Sequence, residues 1–331
     1  MSKSAPMLFA LGSSQHYGQR IGARLGISLA HHEERHFEDG EHKMRPLESV
    51  RDRDVYVLQG LHGEPGASPN DKLVSALFFL GALRDAHCAR LTAVLPYMAY
   101  ARKDRRTKSR DPLHSRYLAQ LLEAVSVDRV VGLDVHNLAA FENAFRVPVV
   151  HLEAAGLLVQ ALLRQGLEPP LSVVSPDAGG YKRAERFREL LGQALGESVG
   201  IAFLEKKRSE GVVSGDALVG ELDGRCAVIV DDLIATGGTL ARAAEACRRV
   251  GARSVYACAT HGLFNEPAAR VLGEASLDGL LVTDTVPAFR LEGTELASRI
   301  TVVDASPLLA SALGRMHRGE ALGDLAGEAL G

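Results

Sequence analysis

The stretch CAVIVDDLIATGGTLARAAEACRRV, residues 226–250, decides the fold of the chain. Residues 227–230 form a short apolar run rich in β-branched side chains, a pattern typical of a buried strand. Asp231 and Asp232 stand at the carboxyl end of this strand, where an open α/β sheet places its ligands. The stretch therefore predicts a strand of a parallel sheet with two carboxylates at its ligand-binding end.

A turn of small residues and an alanine-rich helical pattern follow the two aspartates. Glycines let backbone N–H groups approach a phosphate closely, and a helix N-terminus adds unpaired donors and a partial positive charge. Threonine hydroxyls supply further donors. The pattern predicts a phosphate-binding turn, which we call the phosphate cradle. Its residues are Thr236, Gly237, Gly238 and Thr239.

The two aspartates need a partner other than the phosphate, because like charges repel. Hydroxyl groups of a sugar that carries the phosphate can donate to Asp231 and Asp232, and a divalent cation nearby is a further option. The alternative to a ligand site is a tight strand-to-helix turn with solvated acidic residues beside it. The segment closely resembles the 5-phosphoribosyl diphosphate binding motif of the type I phosphoribosyltransferase fold. Many phosphoribosyltransferases and the ribose-phosphate diphosphokinases share this motif, so it indicates a ligand class and not a reaction.

The 331 residues have an ordinary globular composition, with 46% hydrophobic and 24% charged residues. The net charge of −3 offers no basic excess for nucleic acid. No apolar run reaches the ~18 residues of a membrane span, and residues 1–13 hold too short a run for a signal peptide. We therefore expect a cytoplasmic protein that binds neither nucleic acid nor a membrane. Its four cysteines lack metal-binding spacing and are predicted to be reduced thiols in the core: Cys88, Cys226, Cys247 and Cys258.

Strand and helix patterns alternate along the whole chain, which predicts mostly parallel sheets covered by helices. The length allows two domains of roughly 150 residues, and we place them at 1–150 and 151–331, the second with a helical tail. Asn70 and the pair Asp111-Pro112 are predicted to begin helices. The candidate strands are 7–11, 55–58, 91–95, 129–133, 171–175, 200–204, 227–230, 255–259, 280–282 and 301–303.

Residues 102–110 form a basic segment after the candidate strand 91–95, with six basic residues and one acidic residue in nine. A solvated charged loop and a nucleic-acid patch are two interpretations of such a run. Its position at the carboxyl end of a buried strand favours a third, a clamp for a polyphosphate.

The segment PYMAYARKDR, residues 96–105, strongly resembles the PYxxYARxDR segment of ribose-phosphate diphosphokinases, also called phosphoribosyl pyrophosphate synthetases. Further motifs of that family follow the same order along the chain, and the resemblance extends over roughly residues 8–320. They are FEDGE at 37–41, GLDVH at 132–136, VVSPDAGG at 173–180 and EKKR at 205–208.

The resemblance implies two similar type I phosphoribosyltransferase domains and a specific reaction. The diphosphoryl group of ATP would pass to the C1 hydroxyl of ribose 5-phosphate, giving 5-phosphoribosyl 1-diphosphate and AMP. Mg²⁺ is the implied cofactor, and the implied assembly is a homo-oligomer, a dimer or a hexamer.

The resemblance also implies a role for each motif residue. Ribose 5-phosphate would contact Asp231, Asp232, Thr236, Gly237, Gly238 and Thr239. ATP would contact Phe37, Asp39, Glu41, Arg102, Lys103 and Asp104. The implied metal ligands are His136 and Asp177, and the implied catalytic residues are Lys206 and Arg208.

Taken alone, several of these residues have simpler interpretations. His136 also fits a hydrogen-bonded loop histidine, and Phe37 also fits a buried core ring. Residues 206–208 also fit a solvated surface run, followed by a Gly/Ser-rich loop at 209–215. In a diphosphokinase this loop would be mobile and would close over the developing charge.

The chain departs from the family pattern at two site positions. Ala235 stands where aspartate is usual, and Lys103 stands where glutamine is usual. Two alternative functions therefore stay open. One is a catalytically silent regulatory subunit of the synthetase-associated kind. The other is a phosphoribosyltransferase that uses 5-phosphoribosyl 1-diphosphate, although such an enzyme has no reason to keep FEDGE, YARKDR and a basic KxR segment.

Overall fold

The computed structural model describes residues 5–209, 212–323 and 325–328. The chain folds into two compact units. The first unit contains Met1–Leu152 and Ser306–Gly323, and the second contains Glu153–Ala305 and Asp324–Gly331. The segment Ser306–Gly323 thus packs with the N-terminal residues, whereas it was predicted to belong to the second domain.

The first unit is built on a five-stranded parallel sheet. The strand order is β1-β4-β5-β6-β7. These strands are β1 Met7–Ala10, β4 Asp54–Leu58, β5 Arg90–Leu95, β6 Arg129–Leu133 and β7 Val149–Leu152. Its helices are α1 Gln15–Leu25, α2 Pro69–Asp85, α3 His114–Ala124, α4 Leu138–Ala144 and α9 Ser306–Arg318.

An antiparallel hairpin lies between the first two sheet strands in the chain. It consists of β2 His32–His36 and β3 His42–Pro46, and its strands pair in register from His32 opposite Pro46 to His36 opposite His42. The strands are rich in charged residues and histidines, and only part of the hairpin surface is covered. Neither strand was predicted, because both lack the apolar run that marks a buried strand.

The second unit is built on a seven-stranded sheet in the order β10-β9-β8-β11-β12-β13-β14. All neighbours are parallel except β9 and β10, which form an antiparallel edge hairpin. Its strands are β8 Leu171–Ser175, β9 Gly200–Ser209, β10 Val212–Val219, β11 Cys226–Ile234, β12 Ser254–Gly262, β13 Gly279–Thr283 and β14 Ile300–Val303. Its helices are α5 Ala155–Leu163, α6 Tyr181–Leu195, α7 Gly238–Arg249, α8 Ala268–Gly273 and α10 Leu325–Glu328.

The two sheets share an order of five parallel strands, since β1-β4-β5-β6-β7 corresponds to β8-β11-β12-β13-β14. The second sheet is extended beside β8 by the hairpin of β9 and β10. Strands β4 and β8 are buried along their whole length, as expected when helices cover both faces of a parallel sheet. The prediction of an α/β fold with mostly parallel sheets flanked by helices is confirmed, and every candidate strand of the sequence analysis is a strand.

Two predicted helix starts are wrong. Ser68 caps α2, since its side chain accepts from the Asp71 N–H and its own N–H donates to Asp71. Asn70 instead accepts a hydrogen bond from the Tyr100 hydroxyl. Helix α3 begins at His114 without a side-chain cap, because the Asp111 carboxylate binds other partners, described below.

Helix α9 packs against α1 in the first unit and carries a buried polar contact. His317 Nδ1 lies 2.7 Å from Asp54 Oδ2, at the start of β4. The same carboxylate accepts hydrogen bonds from Arg90 and from the Tyr56 hydroxyl. Burial, together with the Asp54 charge, raises the pKa of Tyr56, so the hydroxyl stays a donor. This cluster fastens α9 to the first sheet.

Within the described ranges, no helix combines the length and apolar character needed to cross a membrane.

Candidate functional site

The phosphate cradle lies between β11 and α7 in the second unit. Helix α7 begins at Gly238, and Gly237 is its N-cap with φ of +78°. A side chain at Gly237 would be strained there, and its Cβ would come within 2.6 Å of the buried Leu272 Cγ. A glycine N-cap supplies no side-chain acceptor, so the first N–H groups of α7 stay available to an anion. The local geometry is therefore that of an anion-binding helix start.

Asp231 and Asp232 lie within β11, which is longer than the predicted strand 227–230. The two carboxylates share a cationic partner. Arg183, on α6, places Nη1 3.4 Å from Asp231 Oδ1 and 3.3 Å from Asp232 Oδ1. The Asp232 N–H also donates to Asp231 Oδ1 at 2.9 Å. Burial and the adjacent Asp232 charge raise the pKa of Asp231, and Arg183 acts in the opposite direction. Ionisation of both carboxylates is thus unfavourable in the protein alone, and hydroxyl donors or a cation would favour it.

Asp177 follows β8, the strand next to β11. Its Oδ1 accepts a hydrogen bond from the Gly180 N–H at 2.9 Å, which begins the short turn before α6. A Cβ at Gly180 would meet Ser175 Oγ at 2.8 Å, so the turn requires a residue without a side chain. Asp177 is exposed at the carboxyl edge of the second sheet, on the same side as the aspartate pair.

Lys206 and Arg208 lie on β9, in the edge hairpin of the second sheet. The backbone of β9 continues to Ser209 and pairs with β10, with Asp216 opposite Lys206 and Val213 opposite Arg208. The segment predicted as a Gly/Ser-rich loop is therefore mostly strand, except that residues 210 and 211 lie outside the described residues. The side chains of Lys206 and Arg208 also lie outside the description, so their role stays a prediction.

The tip of the β2–β3 hairpin carries the residues predicted to contact the base of ATP. The Phe37 N–H donates to the Glu41 carbonyl at 2.8 Å, and the Glu41 N–H donates to Asp39 Oδ1 at 3.0 Å. Phe37 is 36% exposed, so it is not a core ring. The Arg35 guanidinium lies 5.0 Å from the centre of the Phe37 ring. Arg35 is a neighbour of the site that the motif comparison did not indicate.

The basic segment after β5 is organised around Asp111. Its carboxylate accepts from Lys103 Nζ at 2.7 Å, from the Thr107 N–H and hydroxyl, and from the Lys108 N–H. These donors, Lys103 above all, hold the pKa of Asp111 below its ordinary value. Asp111 and Thr107 were not predicted as site residues, because their role appears only when the loop has folded back on itself.

A second contact joins the basic segment to the loop after β6. Asn137 Nδ2 donates to Asp104 Oδ2 at 2.6 Å, and Asn137 Oδ1 accepts from the Ala140 N–H at the start of α4. His136 is the exposed neighbour of Asn137 in this loop. The structure thus brings Asp104 close to the residue beside His136, at the carboxyl edge of the first sheet.

The predicted metal ligands lie in different units, His136 in the first and Asp177 in the second. Among the residues that the structure describes, no group of three or more His, Cys, Asp or Glu side chains could hold a metal ion. Mg²⁺ is commonly bound by one or two protein ligands together with waters and substrate phosphates. The exposed Asp177 carboxylate of the second unit suits one such ligand, and His136 presents an exposed imidazole in the first unit.

The parallel sheets and the strand–turn–helix cradle at a carboxyl edge define a class: α/β proteins with phosphoribosyltransferase-type domains. Residues 6–125 match the model of the N-terminal domain of ribose phosphate pyrophosphokinase. Residues 193–326 match that of the phosphoribosyl synthetase-associated domain.

Curated relatives match almost the whole chain. The ribose-phosphate pyrophosphokinase of Caldanaerobacter subterraneus subsp. tengcongensis is 36% identical over 319 residues, which cover 96% of each chain. That of Vibrio vulnificus is 38% identical over 95% of this chain and 97% of its own. The crystal structure of phosphoribosylpyrophosphate synthetase from Mycobacterium smegmatis has a TM-score of 0.85 at 32% identity, covering 96% of this chain and all of that one. The chain belongs to the ribose-phosphate pyrophosphokinase family.

Proposed function

We propose that the chain transfers the diphosphoryl group of ATP to the C1 hydroxyl of ribose 5-phosphate, giving 5-phosphoribosyl 1-diphosphate and AMP. Full-length membership of the family supports this reaction. The observation that carries it is the cradle of the second unit, where an uncapped helix start follows a buried aspartate pair. No feature of the described residues favours the silent-subunit or phosphoribosyltransferase alternatives.

Ribose 5-phosphate binds at the cradle in this proposal. Its phosphate accepts hydrogen bonds from the first N–H groups of α7 and from the threonine hydroxyls. Its ring hydroxyls donate to Asp231 and Asp232. Arg183 holds both carboxylates in place and limits their repulsion. The proposed contacts are Asp231, Asp232, Thr236, Gly237, Gly238 and Thr239.

ATP binds through residues of the first unit. The exposed face of Phe37 stacks on the base, while the hairpin tip presents polar groups to its edge. The basic segment neutralises the phosphates, and Asp111 keeps that segment folded. The proposed contacts are Phe37, Asp39, Glu41, Arg102, Lys103 and Asp104.

We assign Mg²⁺ to His136 and Asp177, with phosphate oxygens and waters completing its coordination. When bound, the ion neutralises charge on the diphosphoryl oxygens. The protein residues orient the two substrates, since positioning and charge stabilisation supply most of the catalysis in phosphoryl transfer.

In the reaction, the C1 oxygen attacks the β-phosphorus, and the bond from that phosphorus to the oxygen bridging to the α-phosphate breaks. The bridging oxygen leaves with AMP, and the proton of the C1 hydroxyl is released. Lys206 and Arg208 stabilise the charge that develops on the transferred group.

Three further assignments concern the domains, the compartment and the assembly. We assign ATP contacts to an N-terminal domain and ribose 5-phosphate contacts to a C-terminal domain. The four buried, unpaired cysteines favour the reducing cytoplasm. A homo-oligomer, dimer or hexamer, is supported by Tyr117 and Leu121, which are 46% and 47% exposed one turn apart on α3. Light scattering would measure the oligomer directly.

The reaction is tested by phosphorus NMR of the purified protein with ATP, Mg²⁺ and ribose 5-phosphate. We expect AMP and a sugar diphosphate with the wild type, and strong loss of both with Asp177→Ala and Lys206→Ala. A wild type that yields no AMP with several donors and metals would refute the proposal. Consumption of added phosphoribosyl diphosphate only in the presence of a nucleobase would indicate a phosphoribosyltransferase instead.

A further inference from the structure

We propose a second metal site, specific for imidazole-binding divalent ions such as Zn²⁺ or Cu²⁺, at His36 and His42 of the β2–β3 hairpin. The two residues are directly opposite in the register, as the last residue of β2 and the first residue of β3. The two histidines flank the FEDGE motif at 37–41 but are not part of it.

The register places the two imidazoles as close as a sheet allows. In an antiparallel pair, hydrogen-bonded and non-hydrogen-bonded positions alternate, and side chains are closest at the latter. Phe37 and Glu41 are joined by a backbone hydrogen bond of 2.8 Å. The adjacent pair, His36 and His42, is therefore non-hydrogen-bonded, and both side chains project from the same face of the hairpin.

The ring geometry fits a shared metal ion. The centres of the two rings are 6.4 Å apart, and the ring planes are inclined by 42°. Metal–nitrogen bonds of about 2.0–2.1 Å place this separation at the outer limit of a bridged pair. His36 is exposed, so a rotation of its side chain shortens the separation without moving the backbone.

His42 is held in place and has unused binding capacity. Its ring stacks on Phe78 of α2, with centres 5.5 Å apart and planes inclined by 24°. Its Nε2 is buried, and no hydrogen-bond partner for that atom occurs among the described residues. A buried nitrogen without a partner is unfavourable, and a metal ion or a donor removes this penalty.

The donor set selects the kind of ion. Imidazole suits Zn²⁺ and Cu²⁺, whereas Mg²⁺ prefers oxygen ligands. Glu34 lies on the same face but accepts hydrogen bonds from the Gly12 N–H and from His32, so it is not an additional ligand. Two histidines with waters in the remaining positions form an open site, which agrees with the absence of a three-ligand group among the described residues.

The test is a calorimetric titration of Zn²⁺ into the full-length, untagged protein, stripped of metal and kept in excess Mg²⁺. We expect one site per chain whose affinity falls at least about tenfold in His36→Gln and in His42→Gln. His31→Gln is the matched control, because His31 lies just outside the hairpin, is 81% exposed and pairs with Glu48. This variant should bind Zn²⁺ like the wild type.

Electron paramagnetic resonance with Cu²⁺ gives a second readout. The wild type should show two coordinated imidazole nitrogens and His36→Gln one. Equal affinities in all three calorimetric variants would overturn the proposal. So would a Zn²⁺ site that is lost only in His136→Gln. Neither result bears on diphosphoryl transfer, which is measured separately with Mg²⁺.

Discussion

At the residue scale, the cradle combines groups that oppose folding with groups that suit a ligand. Asp231 and Asp232 are adjacent carboxylates in a buried strand, and Arg183 is the cation that both contact. Gly237 occupies a left-handed conformation against the side chain of Leu272. Strain and like charges of this kind are often found at functional sites.

Asp231→Asn should stabilise the protein near neutral pH. The pKa of Asp231 is raised in the folded protein, so the native state loses stability as pH rises above the ordinary value of 3.8. The asparagine variant lacks this loss. We expect a melting temperature about 2–4 °C higher at pH 7 and little difference near pH 4, together with reduced turnover.

Thermal unfolding across this pH range measures the effect. Asp85→Asn, at the exposed last position of α2, is the control and should not reproduce the pH-dependent gain. An Asp231→Asn variant that is less stable than wild type at pH 7 would show that the carboxylate pair stabilises the fold.

Gly237→Ala should lower the free energy of unfolding by roughly 1–3 kcal/mol, because the added Cβ is strained and meets Leu272. Gly238→Ala is the matched control in the same turn, since nothing lies within 4 Å of its Cβ position and its φ is not in the left-handed region. Urea titrations of both variants measure the difference. Equal losses would contradict the account of this turn.

At the element scale, the loop after β5 depends on contacts within itself. Lys103 stands at a position predicted to contact ATP, and its ammonium binds the Asp111 carboxylate. Asn137 links Asp104 to the loop after β6. The loop is thus arranged by residues that are outside the recognised motif.

Lys103→Gln and Asp111→Asn should raise the KM for ATP by similar factors, because each breaks the same contact. The double variant should then raise the KM for ATP little more than either single variant does. A double-mutant cycle expresses this as a coupling free energy of about 0.5–3 kcal/mol. Lys108→Gln is the control, since only the backbone N–H of Lys108 binds Asp111. Additive effects on KM would mean that Lys103 acts independently of Asp111.

Helix α9 should depend on the buried contact between His317 and Asp54. Replacing His317 by alanine leaves the carboxylate with fewer partners, and we expect a loss of about 1–3 kcal/mol in the free energy of unfolding. His16→Ala, on the exposed side of α1, should have little effect. Chemical denaturation measures the free energy of unfolding of both variants. Equal values would contradict a fastening role for this contact.

The elements that could be predicted from sequence are those with a strong local signal. Strand β11 and its parallel neighbours are apolar runs, because both faces of such a sheet are buried. The hairpin strands β2 and β3 are charged and were missed, and the cap at Asp111 was wrong because that carboxylate binds Lys103. The motif residues were found by resemblance, whereas Arg183 and Asn137 become evident only from contacts between distant segments. Arg35 becomes evident only from the position of its guanidinium over the Phe37 ring.

At the scale of the whole molecule, one order of five parallel strands occurs in both sheets, and the two sheets carry different groups at their carboxyl edges. The first carries the basic segment and His136, and the second carries Asp177 and the cradle. This division of groups suits a reaction with two phosphorylated substrates. The family membership of the full chain agrees with it.

The most direct test of the central claim follows the oxygen at C1. Ribose 5-phosphate freshly labelled with ¹⁸O at C1 is incubated with ATP and Mg²⁺, and the products are observed by phosphorus NMR. Diphosphoryl transfer predicts that the label bridges C1 and the β-phosphorus derived from ATP, which shifts that resonance, and that AMP carries no label. Formation of the sugar diphosphate without the label in the bridge, or no AMP at all, would contradict the claim.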